Sequence, residues 1–171
     1  MRSRSNVTWF STKVRYQKTM EDGSEKVVTE NYLVDALSFT EAESAITDEM
    51  SVYVSGEFQV SGIAKAAYNE VFFSDVDDDD KWYKAKLQFI TIDEKTEKEK
   101  RSTVNYLVQA KSLARALRYV DEEMGKTMID YDTIGLNETN LMDVFEHQTP
   151  NKEEKNDVPE YEQGNAEQPA E

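Results

Sequence analysis

The chain has 171 residues, enough for one ordinary domain or two small ones, and a formal net charge of −15. It holds no cysteine and one histidine, which excludes a disulfide framework and a thiolate-bound metal. No run approaches the ~20 apolar residues of a membrane-crossing helix, and so acidic a chain can offer nucleic acid only a locally basic surface.

Residues 1–8 read as an N-terminal arm. Arg2 and Arg4 make it basic, and it lacks the apolar stretch of a secretory signal. From Trp9 onward Phe10, Thr12, Val14 and Tyr16 alternate with Ser11, Lys13, Arg15 and Gln17, the pattern of a half-buried strand. Glu21-Asp22-Gly23-Ser24 is a hairpin turn with Asp-Gly at its centre. A return strand over 26–36 carries Val28, Tyr32, Val34 and Ala36 in phase. Ser38 and Glu41 form a capping box that opens a helix, with Phe39, Ala42, Ile46 and Met50 at helical spacing. A third strand is expected over about 57–65 and a short fourth over 68–73. Residues 74–80, ending in four consecutive aspartates, read as a solvated, flexible linker.

The same plan then recurs. Tyr83, Ala85, Leu87 and Phe89 alternate on a strand, and Asp93 to Lys98 turn the chain. Val104, Tyr106, Val108 and Ala110 line the return strand, and Ser112 caps a helix bearing Leu113, Ala116, Leu117, Val120 and Met124. Arg115 stands where the first helix has Glu41, so this capping box is incomplete. Strands follow over 128–136 and 140–145. Residues 148–171 are rich in Glu, Asn, Gln and Pro and too poor in apolar groups to offset their ordering entropy, so a disordered acidic tail is expected.

The recurrence extends to residues. Trp9 and Lys13 match Trp82 and Lys86; Asn31-Tyr32-Leu33-Val34 matches Asn105-Tyr106-Leu107-Val108. Ile63 is read against Ile134, and Val71-Phe72 against Val144-Phe145. Ordered matches at nearly one spacing indicate an internal duplication. The expected fold is α+β: two tandem ββαβ-type repeats, 9–73 and 81–147, each an antiparallel sheet with one helix, packed pseudo-symmetrically.

The matched polar residues are the best functional lead. Trp9, Lys13 and Asn31 answer Trp82, Lys86 and Asn105, and Lys84, Lys100 and Arg101 reinforce the second set. Trp offers a stacking plane, Lys a phosphate contact and Asn an amide, the components of a single-strand nucleic-acid platform. The structural alternative seats each Trp over one end of the core and leaves the lysines to solvent. The acidic tail suits a competitor for a basic groove, or a plain solubilising segment. His147 lies beside the tail, a poor position for a general base, and no phosphate loop or dinucleotide fingerprint is present. No cofactor or metal is expected, and no catalytic residue is marked. The reading is a non-enzymatic nucleic-acid-binding protein, for single-stranded DNA in phage or bacterial DNA metabolism. The alternative is an acidic adaptor or inhibitor that binds a basic protein partner. An enzyme, the third class, requires a deep pocket with convergent polar groups.

The pattern Trp-aromatic-x-x-Lys followed by Asn-Tyr-Leu-Val-x-Ala-x-Ser, given twice, resembles a duplicated small-domain family of unknown function found in Bacteroidota and their bacteriophages. Residues 32–43 and 141–145 carry the likeness best, and it spans about 7–147. It implies a cytoplasmic phage or bacterial protein and brings no assigned catalytic residues.

Overall fold

A computed structural model describes residues 1–147. The elements in chain order are β1 (Arg2–Ser5), β2 (Trp9–Thr19), β3 (Glu25–Asp35), α1 (Phe39–Tyr53), β4 (Phe58–Ala66), β5 (Glu70–Phe73), β6 (Lys81–Ile92), β7 (Glu99–Ala110), α2 (Leu113–Gly125), β8 (Asp130–Glu138) and β9 (Leu141–Phe145). The expected α+β class is observed, with two helices and two mixed sheets. Strand order is β1-β5-β7-β6-β8 in one and β4-β2-β3-β9 in the other.

Two long hairpins are the backbone of the sheets. β2 and β3 pair antiparallel from Trp9 opposite Asp35 to Thr19 opposite Glu25. Gly23, at φ +82°, makes the turn, and its N–H donates to the Met20 carbonyl. β6 and β7 pair in the same way, from Lys81 opposite Ala110 to Ile92 opposite Glu99. Each first strand also takes an antiparallel third strand, β4 on β2 and β8 on β6. Both of these ladders contain a bulge, between Lys13 and Val14 and between Lys86 and Leu87. A bulge adds one residue and re-aims the side chains beyond it.

The short last strands do not stay with the sheet that precedes them. β5 joins β7 in parallel, with Val71 opposite Leu107 and Phe72 opposite Val108. β9 joins β3 in parallel, with Val144 opposite Leu33 and Phe145 opposite Val34. Each sheet is therefore built from both stretches, 9–73 and 81–147. The register also revises one residue match: Gly62 lies opposite Lys13 and Gly135 opposite Lys86, so Ile63 takes the place of Leu136. Ile134 sits instead at the bulge.

The core has three layers of contact. α1 covers the four-stranded sheet through Ala42, Ile46 and Met50, against Phe10, Val14, Tyr32 and Val34. α2 covers the five-stranded sheet through Val120 and Met124, against Ala85, Leu87, Tyr106 and Val108. The other faces of the two sheets meet through Trp9, Leu33 and Val144 on one side and Val71, Trp82 and Leu107 on the other. All six are buried. Burying a large apolar side chain stabilises by about 1.5–3 kcal/mol, so this middle layer binds the sheets into one unit.

Both helices start as expected. Ser38 Oγ accepts from the Glu41 N–H at 3.1 Å and Glu41 returns the contact to the Leu37 N–H at 2.9 Å. Ser112 Oγ accepts from the Arg115 N–H at 3.2 Å. The box that Arg115 leaves incomplete is completed from elsewhere: Asp79 accepts from the Lys111 N–H at 2.9 Å. Asp79 also accepts from Ser74 Oγ, from the Tyr119 hydroxyl at 2.6 Å and from Arg115 Nη1 at 3.3 Å. It is buried while Asp77, Asp78 and Asp80 are exposed, so at this residue the expected solvated linker is a fixed anchor.

The N-terminal arm likewise carries structure. β1 pairs antiparallel with β5, Arg2 opposite Phe73 and Arg4 opposite Val71. From this edge Arg4 reaches the other sheet, donating to Asp35 at 2.6 Å and to Glu146 at 3.2 Å over the Trp9 ring. Arg4 and Asp35 are both buried. The expected tail, 148–171, lies outside the described residues.

Candidate functional site

Apart from Lys100, which shares the face of Val104 and Tyr106 under α2, the polar residues singled out from sequence fall on the sheet faces turned away from the helices. Alternation puts Trp9, Ser11 and Lys13 on one face, as expected, but the second sheet covers one end of it. Trp9 is 1% exposed and Trp82 2%. Neither indole has a free face for a base to stack on, and both belong to the layer between the sheets.

What emerges from that layer is a pair of similar polar rows. In one, Lys13 lies between Asn31 and Gly62. In the other, Lys86 lies between Asn105 and Gly135. The lysine stems pass over these glycines at contact distance: a methyl group on Gly62 would stand 3.6 Å from Lys13 Cδ, and one on Gly135 3.5 Å from Lys86 Cβ. Lys84 is exposed in the next row, between buried Leu107 and Asn137. Among the described residues Lys13, Arg15, Lys84 and Lys86 enter no ion pair.

Lys100 and Arg101 are not brought into these rows. They lie five and four residues before Asn105, toward the hairpin tip, roughly 13–17 Å away along the strand. Arg101 is already engaged by Asp132 at 2.9 Å and Glu99 at 3.4 Å. The site residues thus divide into two buried indoles, two lysine–asparagine rows with Lys84 beside one of them, and a distant pair.

Two features escape sequence reasoning. The first is a groove of about 580 Å³ between α2 and the edge strand β8, lined by Leu113, Ala114, Leu117, Thr133, Ile134 and Leu136. Leu113, Leu117 and Ile134 remain 40–50% exposed there. The signal was present in Leu113 and Leu117, but an i, i+4 pair on a helix reads as core. The second is a set of carboxylates tied to fixed donors. Glu30 accepts from the Tyr16 hydroxyl at 2.6 Å and the Tyr32 hydroxyl at 2.7 Å. Burial pushes the Glu30 carboxyl up, but the two hydroxyls and Lys18 outweigh it and hold the group below its usual range. Burial and Glu30 in turn push Tyr16 up to about 12. His147 Nε2 lies 2.7 Å from Glu49 Oε1. Among the described residues no group of His, Asp or Glu could hold a metal ion, and no helix is long and apolar enough to cross a membrane.

These features define an α+β protein with two mixed sheets whose distinctive surfaces are a polar double row and an apolar edge groove. Residues 8–147 match the model of a domain of unknown function (DUF4494), and the chain belongs to that family. No curated protein and no solved structure matches the chain. The match leaves out β1, and with it Arg2 and Arg4.

Proposed function

We propose that this chain is a protein-binding adaptor or inhibitor that acts by contact rather than by catalysis, on a partner that presents an apolar segment flanked by basic residues. The α2–β8 groove carries the reading. Clustered, half-exposed Leu113, Leu117 and Ile134 beside a sheet edge are what an apolar anchor requires. Asp130 on β8, outside the ion pairs that engage Asp132 and Glu138, and a net charge of −15 favour a basic partner through steering. The setting implied by the resemblance, a bacterial cytoplasm with the protein encoded by the bacterium or by a phage, belongs to the same proposal. So does an origin by duplication, which the reciprocal placement of β5 and β9 supports.

A second reading rests on four cations in or beside the polar rows that enter no ion pair among the described residues. Lys13, Arg15, Lys84 and Lys86, with the amides of Asn31 and Asn105, suit the phosphates of single-stranded DNA. Contact would then run through phosphate and amide instead of stacking, with the acidic 148–171 segment as a competitor.

One pair of measurements separates them. A photo-crosslinking residue at Leu117, introduced in the source cell, is expected to give a discrete protein adduct that Ile134→Asp removes. A labelled single-stranded oligonucleotide is expected to show no anisotropy change at low salt with the full chain or with a 1–147 truncation. Salt-sensitive oligonucleotide binding that is lost in Lys13→Glu/Lys86→Glu, with no adduct at Leu117, overturns the adaptor in favour of the second reading.

A further inference from the structure

The two sheets differ by one strand, and the difference lies at corresponding edges. β5 stands between β7 and β1, whereas β9 stands beside β3 with its other edge open among the described residues. The strands correspond in sequence and setting. Val71-Phe72 faces Leu107-Val108, and Val144-Phe145 faces Leu33-Val34. Phe72 packs edge-on against Tyr106 at 5.4 Å, and Phe145 stacks on Tyr32 at 5.5 Å. What β1 adds to β5 is absent from β9.

Asp143, on this edge strand, accepts at 2.8 Å from the N–H of its own neighbour, Val144. Asp143 is half-buried and its carboxyl lies above the usual range. Burial is the main cause, and nearby Glu49 adds to it against the lowering by the Val144 N–H. Glu49 is met by His147 at 2.7 Å, but among the described residues Asp143 enters no ion pair, and a cation there would relieve the crowding. The precedent is in the same molecule, where the strand seated on β5 is Arg-Ser-Arg-Ser.

We infer that the outer edge of β9 is a strand-addition site for an extended basic segment of a partner protein, running antiparallel to β9 with a lysine or arginine opposite Asp143. In the β1–β5 ladder that place belongs to Ser5, which lies opposite Glu70, the counterpart of Asp143. Backbone hydrogen bonds supply affinity and the basic side chain supplies selectivity. A second copy fits poorly: its β1 is already engaged on β5, and pairing two β9 strands would gather Asp143 and Glu49 of both copies at one interface. The chain's own 148–171 segment fits poorly too, with seven acidic residues against two lysines. The inference deepens the adaptor reading at a surface that does not use the α2–β8 groove.

The test uses the full chain and a synthetic octapeptide of its residues 1–8 in which Ser5 is replaced by Lys, with a Glu at that position as control. Amide hydrogen exchange is followed residue by residue. At saturating lysine peptide the amides of Asp143–Glu146 are expected to exchange at least tenfold more slowly. The glutamate peptide and the Asp143→Asn protein are each expected to bind at least fivefold more weakly, and Leu117→Asp to bind the peptide unchanged. No protection of β9 at millimolar peptide overturns the inference. So does protection confined to Glu70–Phe73, which would mean that the peptide merely replaces β1. Binding that appears only after removal of 148–171 also overturns it, by giving the edge to the tail. Loss of the Leu117 adduct with peptide binding intact would sink the groove reading and leave this one standing.

Discussion

Replacing Asp79 with Ala tests whether one aspartate in a run of four anchors α2. Four contributions enter, the lost acceptor of the Ser74 hydroxyl adding about 0.5–1 kcal/mol to the three that follow. The Lys111 N–H at the helix start loses its acceptor, equivalent to a lost cap at about 1 kcal/mol. The partly buried Tyr119 hydroxyl loses its partner, at about 1–2 kcal/mol. The Arg115 contact, on a side chain that solvent still reaches, adds a few tenths at most, roughly. The expected loss is about 2–4 kcal/mol, a fall in Tm of roughly 4–16 °C for a domain of this size. Asp77→Ala, Asp78→Ala and Asp80→Ala, at exposed positions, are expected to stay within about 0.5 kcal/mol of the parent. Urea unfolding of all four variants at pH 7 is the assay. An Asp79→Ala loss no larger than its neighbours' would refute the reasoning.

The same residue predicts a pH dependence. Burial raises the Asp79 carboxyl, but Ser74, Tyr119, Arg115 and the Lys111 N–H together hold it below its usual value. A depressed folded-state pKa contributes stability above the unfolded value, about 4, and loses it as pH falls through the folded value. The stability difference between the parent and Asp79→Asn is therefore expected to be full at pH 7 and to shrink below about pH 4.

Arg4→Ala leaves the buried Asp35 carboxylate without this guanidinium, and breaking such a pair costs about 3–5 kcal/mol; a denaturant midpoint unchanged from the parent would show that the pair contributes little. Leu107→Ala opens a cavity in the layer between the sheets and is expected to cost about 2–5 kcal/mol, checked by thermal unfolding. Ser38→Ala removes the α1 cap, at about 1 kcal/mol; a smaller loss than in an exposed mid-helix control such as Glu43→Ala would place the helix start elsewhere.

Local structure was legible because its causes are local. Alternation of Phe10, Thr12 and Val14, the Asp22-Gly23 turn, and the caps Ser38 and Ser112 each act within a few residues, and each stands where it was read. Partner identity was not. Val144-Phe145 has the composition of a buried strand but nothing that says which sheet will bury it, so the crossing of β5 and β9 stayed hidden. Trp9 shares its face with Lys13, and alternation reports a face without reporting that a second sheet covers half of it. β1 has no apolar period at all; its pairing depends on the edge of β5 and on carboxylates far along the chain. Asp79 differs from Asp78 only in direction, which composition does not record. The groove went unseen for a related reason, since Leu113 and Leu117 show the spacing of core residues and the bulge at Ile134 has no sequence signature.

The parallel placement of β9 on β3 also orders events in time. Asp35, at the end of β3, accepts from the His147 N–H, 112 residues later in the chain. Domains emerge from the ribosome N-terminus first, so Tyr32, Leu33 and Val34 wait uncovered on one side until Asp143, Val144 and Phe145 have been made. Long-range pairing of this kind slows folding, and a chain halted before Leu141 leaves the β3 edge open to other strands. Ribosome-bound chains that stop short of residue 141 should therefore be the species most prone to aggregate or to seek a chaperone, and those long enough to release Phe145 should become protease-resistant in a single step.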